Sequence, residues 1–397
     1  VTSSTETAAA TESPDPRSGI DLRWVDDSVR PQDDLFEHVN GVWLRDHVIP
    51  DDRAVDGAFH VLRDRAEENV RDLITECAES SPEPGSDAQK IGDLYASFMD
   101  EDRINALGIE PIRADLAALS AAADRTELAR LIGAQQRRGI GGLLGYYVDT
   151  DAKASDRYLV HITQSGLGLP DESYYREENH AESLAAYREH VAKMFRLAGF
   201  DDPEAVAATV VDLETAIAAQ HWDVVRRRDA DLSYNLRTLA EFKSEATGFD
   251  LDAWTAGLST PAGETFGEVV VGQPSFISGV AALFAERDLA EWKLWAQWRL
   301  LHSAAPYLSD EFVAENFEFY GKTLTGSEVI RDRWKRGVGL VEQGLGFAVG
   351  KLYVAKHFPP QAKARMDELI ENLVKAYRRN ITDLDWMSPA TREKALV

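Results

Sequence analysis

At 397 residues the chain is too long for one compact core and is expected to fold as two or more packed units. Its 44% apolar and 9% aromatic content excludes wholesale disorder. A formal net charge of −25, from 43 basic and 68 acidic residues, excludes a broad nucleic-acid-binding surface and argues against anionic membranes, since both depend on Lys and Arg. The same charge favours solubility and presents a negative field to basic peptides.

Residues 1–18 are rich in Ser, Thr, Ala, Glu and Pro and read as a disordered tail. The tail has neither the basic nor the apolar region of a signal peptide, and no window holds the roughly 18 apolar residues of a membrane span. The reading is a soluble chain, cytoplasmic or exported by a non-standard route. Structure is expected to begin near Gly19, with Ile20 to Val25 as a short strand or extended lead-in. Asp33 or Asp34 then starts a helix that runs toward Trp43, and Pro50-Asp51-Asp52 has turn chemistry.

From His60 a helical period is clear: Val61, Leu62, Ala66, Val70, Leu73 and Ile74 fall three and four apart. Cys77 is the single cysteine, so no intrachain disulfide can form. It follows the apolar face of this helix and reads as a core thiol. Ile91, Leu94, Tyr95 and Phe98 mark the next helix. Leu143 to Val148 and Tyr158 to Ile162 are rich in β-formers around a turn-like Asp149 to Ser155, which predicts a hairpin.

Helices dominate the rest. Asp202-Pro203 has the form of an N-cap with Pro at the first helical position. Val206, Val210, Leu213 and Ile217 form the buried stripe that follows. Asp288 with Glu291 suggests a capping box opening a helix that carries Trp292, Trp295 and Trp298, an aromatic stripe read as core. A last long helix shows Met366, Leu369, Ile370, Leu373, Val374 and Tyr377 on one face. The fold class is mainly α: a multi-helix lobe with one small β-hairpin.

A local zinc site would show two histidines one helical turn apart, as in H-E-x-x-H. None of the nine histidines lies three, four or five residues from another, so no such motif is present. G-x-S-x-G is also absent, and Cys77 has no supporting local signature. The glycine-rich stretch Gly337 to Lys351 fails the phosphate-loop spacing, because three residues separate Gly346 from Gly350 and Leu352 follows Lys351. It reads as a helix whose small residues admit a close neighbour. No catalytic and no metal-binding residue is therefore assigned.

Several segments in chain order resemble the neprilysin and endothelin-converting-enzyme family of zinc endopeptidases. They are Asp34 to Trp43 (DLFEHVNGVW), Ile49-Pro50, Gly57-Ala58-Phe59 and Leu62-Arg63-Asp64. Gly166 to Asp171 with Tyr174-Tyr175, Arg227-Arg228-Asp229 with Tyr234-Asn235, Arg333-Trp334, Gly350 to Val354, and Trp386 to Thr391 follow. The resemblance covers residues 19–397, and the low cysteine count is similar to the bacterial, actinobacterial metalloprotease branch.

The resemblance implies a two-lobed enzyme that encloses peptide substrates, with zinc held by a catalytic lobe outside these residues. This chain would supply the N-terminal, capping part. Residues 19–58 would pack on the catalytic lobe, 59–380 would form the helical cap, and 381–397 would lead into that lobe. Its partners would be peptide substrates and its own C-terminal catalytic lobe. Phe59 and Arg63 match the family's substrate-side Phe and the Arg four residues on. Two departures stand beside them: Val55 occupies the position of a second Arg, Arg53 being shifted by two residues, and His60 replaces the Asp after the Phe. Alternative readings are a standalone helical binding or scaffold module, or an inactive homologue. By either main reading, the 1–397 chain alone is expected to be inactive.

Overall fold

The computed structural model describes residues 22–397. The tail read over residues 1–18, and the first two residues of the expected strand at Ile20 to Val25, lie outside them. Leu22–Trp24, expected to be extended, is a 3₁₀ turn. The chain divides into two compact units, one ending at Gly57 and one running Ala58–Val397.

In the first unit, Asp34 caps helix α1 (Leu35–Asp46) by accepting from Glu37 N–H at 2.8 Å. The Asn-Gly-Val-Trp block within α1 has a packing reason: Gly41 is buried against Asp26, whose Cβ would lie 2.8 Å from an added methyl. His38 Nδ1 meets Val29 O at 2.8 Å and ties the preceding turn to the helix.

The second unit begins with α2 (Ala58–Glu79), α3 (Asp87–Met99), α4 (Glu101–Leu107), α5 (Glu110–Ala121) and α6 (Arg125–Arg137). Strands β1 (Leu144–Asp151) and β2 (Ala154–Gln164) follow, then α7 (Ala181–Leu197), α8 (Pro203–Ala218) and a single turn, α9 (Val224–Arg227). Next come β3 (Leu236–Thr238), α10 (Leu239–Glu245), α11 (Leu251–Gly257), α12 (Ala262–Thr265) and β4 (Glu268–Val271). The chain ends with α13 (Pro274–Glu286), α14 (Leu289–Ala304), α15 (Asp310–Asn316), α16 (Arg333–His357), α17 (Pro360–Asp383) and α18 (Pro389–Ala395).

Local chemistry starts many of these helices. Ser86, Asp124, Asp202 and Asp250 each accept from a backbone N–H of the first turn. The capping box expected at Asp288 does not form. Asp288 makes no side-chain cap, and Glu291 accepts instead from Arg287 Nε at 2.6 Å. The ion pair available to Glu291 competes with the backbone bond. A true box occurs at Thr238 and Glu241, opening α10.

The expected hairpin belongs to a larger sheet of order β1-β2-β4-β3, in which β2 and β4 are parallel and the other pairs antiparallel. Alternation gives the sheet two faces. Val160, Ile162, Val269 and Val271 enter the main core with the three tryptophans of α14. Tyr147, His161, Val270 and Leu236 form one row across all four strands on the other face.

A satellite core joins Val70, Ile74 and Cys77 of α2, Ile91 of α3, and Val338, Val341 and Val349 of α16. Burial raises the Cys77 thiol pKa, which suits a core thiol. Of the α16 glycines, Gly337 makes the expected close approach: a Cβ there would lie 2.8 Å from Tyr95. Gly346 and Gly350 face open space, and α16 is kinked at Leu345 (φ −132°, ψ 25°).

Candidate functional site

The two residues singled out by resemblance sit in the first turns of α2. Phe59 and Arg63 are four apart, so they share a face. Phe59 is 87% exposed, with Val61 and Leu62 beside it also exposed. Arg63 is half exposed, and its Nη2 meets Asp64 Oδ1 at 3.4 Å. Burial on α2 begins at Val70. The helix is therefore anchored by its C-terminal half and presents an apolar and cationic face at its start. A phenyl ring so exposed costs free energy in water unless something covers it.

Neither nearby candidate supplies the second arginine of the family pattern. Val55 is exposed and apolar. Arg53 is largely covered and bound to Asp52 and Asp56, the latter at 3.3 Å. Asp56 also meets His47 Nε2 at 2.8 Å and accepts from Gly57 N–H.

Among the described residues, no group of three or more His, Cys, Asp or Glu is placed to hold a metal ion. The donor set for a zinc site is absent from them, so no chemical step through zinc is derived from these residues. His190, on α7, bonds Glu315 at 3.0 Å and stacks on Phe319. Burial lowers the pKa of His302, on α14, to about 3.

The segment Gly166 to Tyr175 is held by a buried polar knot that sequence reading missed. Glu214 Oε2 accepts from Tyr175 Oη at 2.7 Å, Tyr187 Oη at 2.9 Å and Gly168 N–H at 3.3 Å. Arg299 Nη1 donates to Leu167 O at 2.8 Å, and Tyr320 Oη to Gly168 O at 3.0 Å. Trp295 Nε1 donates to Gly166 O at 3.0 Å. A methyl at Gly168 would collide with the Tyr187 hydroxyl. Burial raises the Glu214 pKa against the opposing charge of Arg299 and the tyrosine bonds. The Gly-Leu-Gly-Leu-Pro…Tyr-Tyr segment is therefore architectural in this chain. A signal was available, since residue 214 lies four beyond Val210 on the buried stripe of α8.

Comparison with known proteins bears on the family and the fold. The N-terminal model of peptidase family M13 matches residues 31–397. This chain belongs to peptidase family M13. The inhibitor complex of the zinc metalloprotease Zmp1 of Mycobacterium tuberculosis is 54% identical and superposes with a TM-score of 0.90, covering 96% of this chain and 57% of that one. The open state of the same enzyme gives 55% identity and 0.80, over 93% and 57%. Endothelin-converting enzyme-like 1 of Mus musculus is 28% identical over 391 residues, 94% of this chain and 49% of its own length. The chain spans about half the length of the curated relatives it matches. The resemblance read from the motifs, the mainly helical class and the bacterial type all stand.

Proposed function

We propose that this chain is the N-terminal, cavity-shaping part of a zinc-dependent endopeptidase, and that Phe59 and Arg63 contact its peptide substrate. The carrying observation is the shared exposed face of Phe59 and Arg63 on α2. Such a pair suits an extended peptide: the ring fills an apolar subsite, and the guanidinium binds a carbonyl or carboxylate. Zinc would be held by a C-terminal catalytic lobe, because the described residues offer no donor set. In the same reading, residues 19–58 pack on that lobe, 59–380 cap the cavity and 381–397 lead into it.

Support for a second half also comes from α17. Leu369, Ile370, Leu373 and Tyr377 share one face of a long helix, and each is about half exposed. The test uses the full-length protein. Phe59→Ala and Arg63→Ala should each lower kcat/KM for peptide hydrolysis by about tenfold, mainly through KM, with the melting temperature unchanged. Kinetics equal to the parent would overturn the assignment. Residues 1–397 alone should bind no stoichiometric zinc and cleave no peptide; zinc-dependent cleavage by that product would overturn the division of labour.

A further inference from the structure

On the sheet face turned away from the main core lies a cavity of about 320 Å³. Its floor is Tyr147, His161 and Thr163, and its remaining wall includes Gln273, Ser233 and Arg227. No Asp or Glu lines it, although the chain carries 68 of them. From these groups we infer a binding site for a single carboxylate, taken as the C-terminal end of a peptide or as a small free carboxylate.

The donors are fixed by their neighbours. Gln273 is 5% exposed, and its Oε1 accepts from Gln164 N–H at 2.9 Å. That bond sets the orientation of the amide, because only the oxygen can accept. The amide nitrogen, on the cavity wall, makes no hydrogen bond among the described residues. Gln164 also lines the cavity, with its amide tied to Trp222: the oxygen accepts from the Trp222 N–H and the nitrogen donates to the Trp222 carbonyl, both at 2.9 Å. His161 stacks on Tyr147 at 5.0 Å, and its buried Nε2 has no hydrogen-bond partner among the described residues. Unmet buried polar atoms are uncommon in folded proteins and mark a place where a ligand or water completes the bonding.

Arg227 supplies the cation. Of the run Arg226-Arg227-Arg228, Arg226 stacks on Trp222 at 3.8 Å, whereas Arg227 forms no ion pair among the described residues. The loop that follows Arg227, the last residue of α9, is ordered by its own bonds. Ser233 Oγ donates to Arg227 O at 3.0 Å, and Asp229 accepts from the N–H groups of Asp231 and Leu232, both at 3.0 Å. One guanidinium beside an amide N–H matches the single charge and planar fork of a carboxylate better than a phosphate dianion.

None of these residues belongs to the α2 face that carries Phe59 and Arg63. Calorimetry on the full-length protein in low-chloride buffer tests it, with N-acetylglycine as a minimal peptide end. Binding should saturate at one site and weaken at least about tenfold in Arg227→Gln and in Gln273→Leu. The neutral N-acetylglycinamide should not bind. Acetate weaker than N-acetylglycine identifies a peptide end, and equal binding identifies a free carboxylate. No saturable binding, equal binding of the amide, preference for inorganic phosphate, or an unchanged Arg227→Gln would overturn the site. Arg227 is exposed, so that variant keeps the test decisive should Gln273→Leu fail to fold.

Discussion

Glu214 shows how one side chain decides a local backbone. It takes three donors on one carboxylate oxygen, two of them tyrosine hydroxyls, at full burial. Burial raises its pKa. A carboxyl raised on folding favours the folded state while both states are protonated, and that contribution is lost as the pH climbs through the folded value. Parent protein should therefore lose stability relative to Glu214→Gln as the pH rises above the ordinary glutamate value of 4.5. Melting temperatures of both across that range check this; a gap that does not change with pH would remove the argument. The position of Glu214 on a buried face is legible in the α8 periodicity. Its partners are not, because Gly168, Tyr175 and Tyr187 reach it from 46, 39 and 27 residues away.

Among the elements, α16 separates packing from propensity. Its glycines look alike in sequence, yet Gly337 meets Tyr95 and Gly350 meets open space. Gly337→Ala should destabilise by about 1–3 kcal/mol through overpacking against α3. Gly350→Ala should stabilise by about 0.5–1 kcal/mol, because alanine loses less backbone entropy in a helix. Denaturant melts of both variants test the pair, and the same sign for both would contradict the packing. The helices themselves were readable from periods of three and four and from the Asp34 and Asp202 caps. Strands β3 and β4 were missed. They are three and four residues long, and β4 finds its parallel partner β2 across more than a hundred intervening residues.

At the scale of the whole molecule, acid should weaken the fold through histidines held neutral. Packing against Phe276 and the Ser165 carbonyl buries His221, whose pKa falls from 6.5 to about 4. A depressed folded pKa means that the unfolded chain binds the proton more readily between those values. Stability is complete above pH 6.5 and declines by about 3 kcal/mol as the pH falls to about 4. His221→Gln should flatten that part of the profile in a pH series of urea melts. The apolar face of α17 makes a second prediction. Leu369→Lys should cost the full-length protein about 1.5–3 kcal/mol if the second half covers that face, and residues 1–397 alone far less. Equal costs in the two proteins would overturn a covering partner.

Composition, periodicity and ordered motifs were enough to determine a mainly helical chain of this family without a histidine pair at ligand spacing. Those properties are local, or repeat over a few turns, and so survive in a linear string. Tertiary structure decided which glycine packs and which stands open. It also decided that the Gly-Leu-Gly-Leu-Pro segment is tied to Glu214 and that His161, Gln273 and Arg227 share one cavity. Each of these depends on contacts between segments far apart in the chain, and burial and hydrogen bonding act on distances in space.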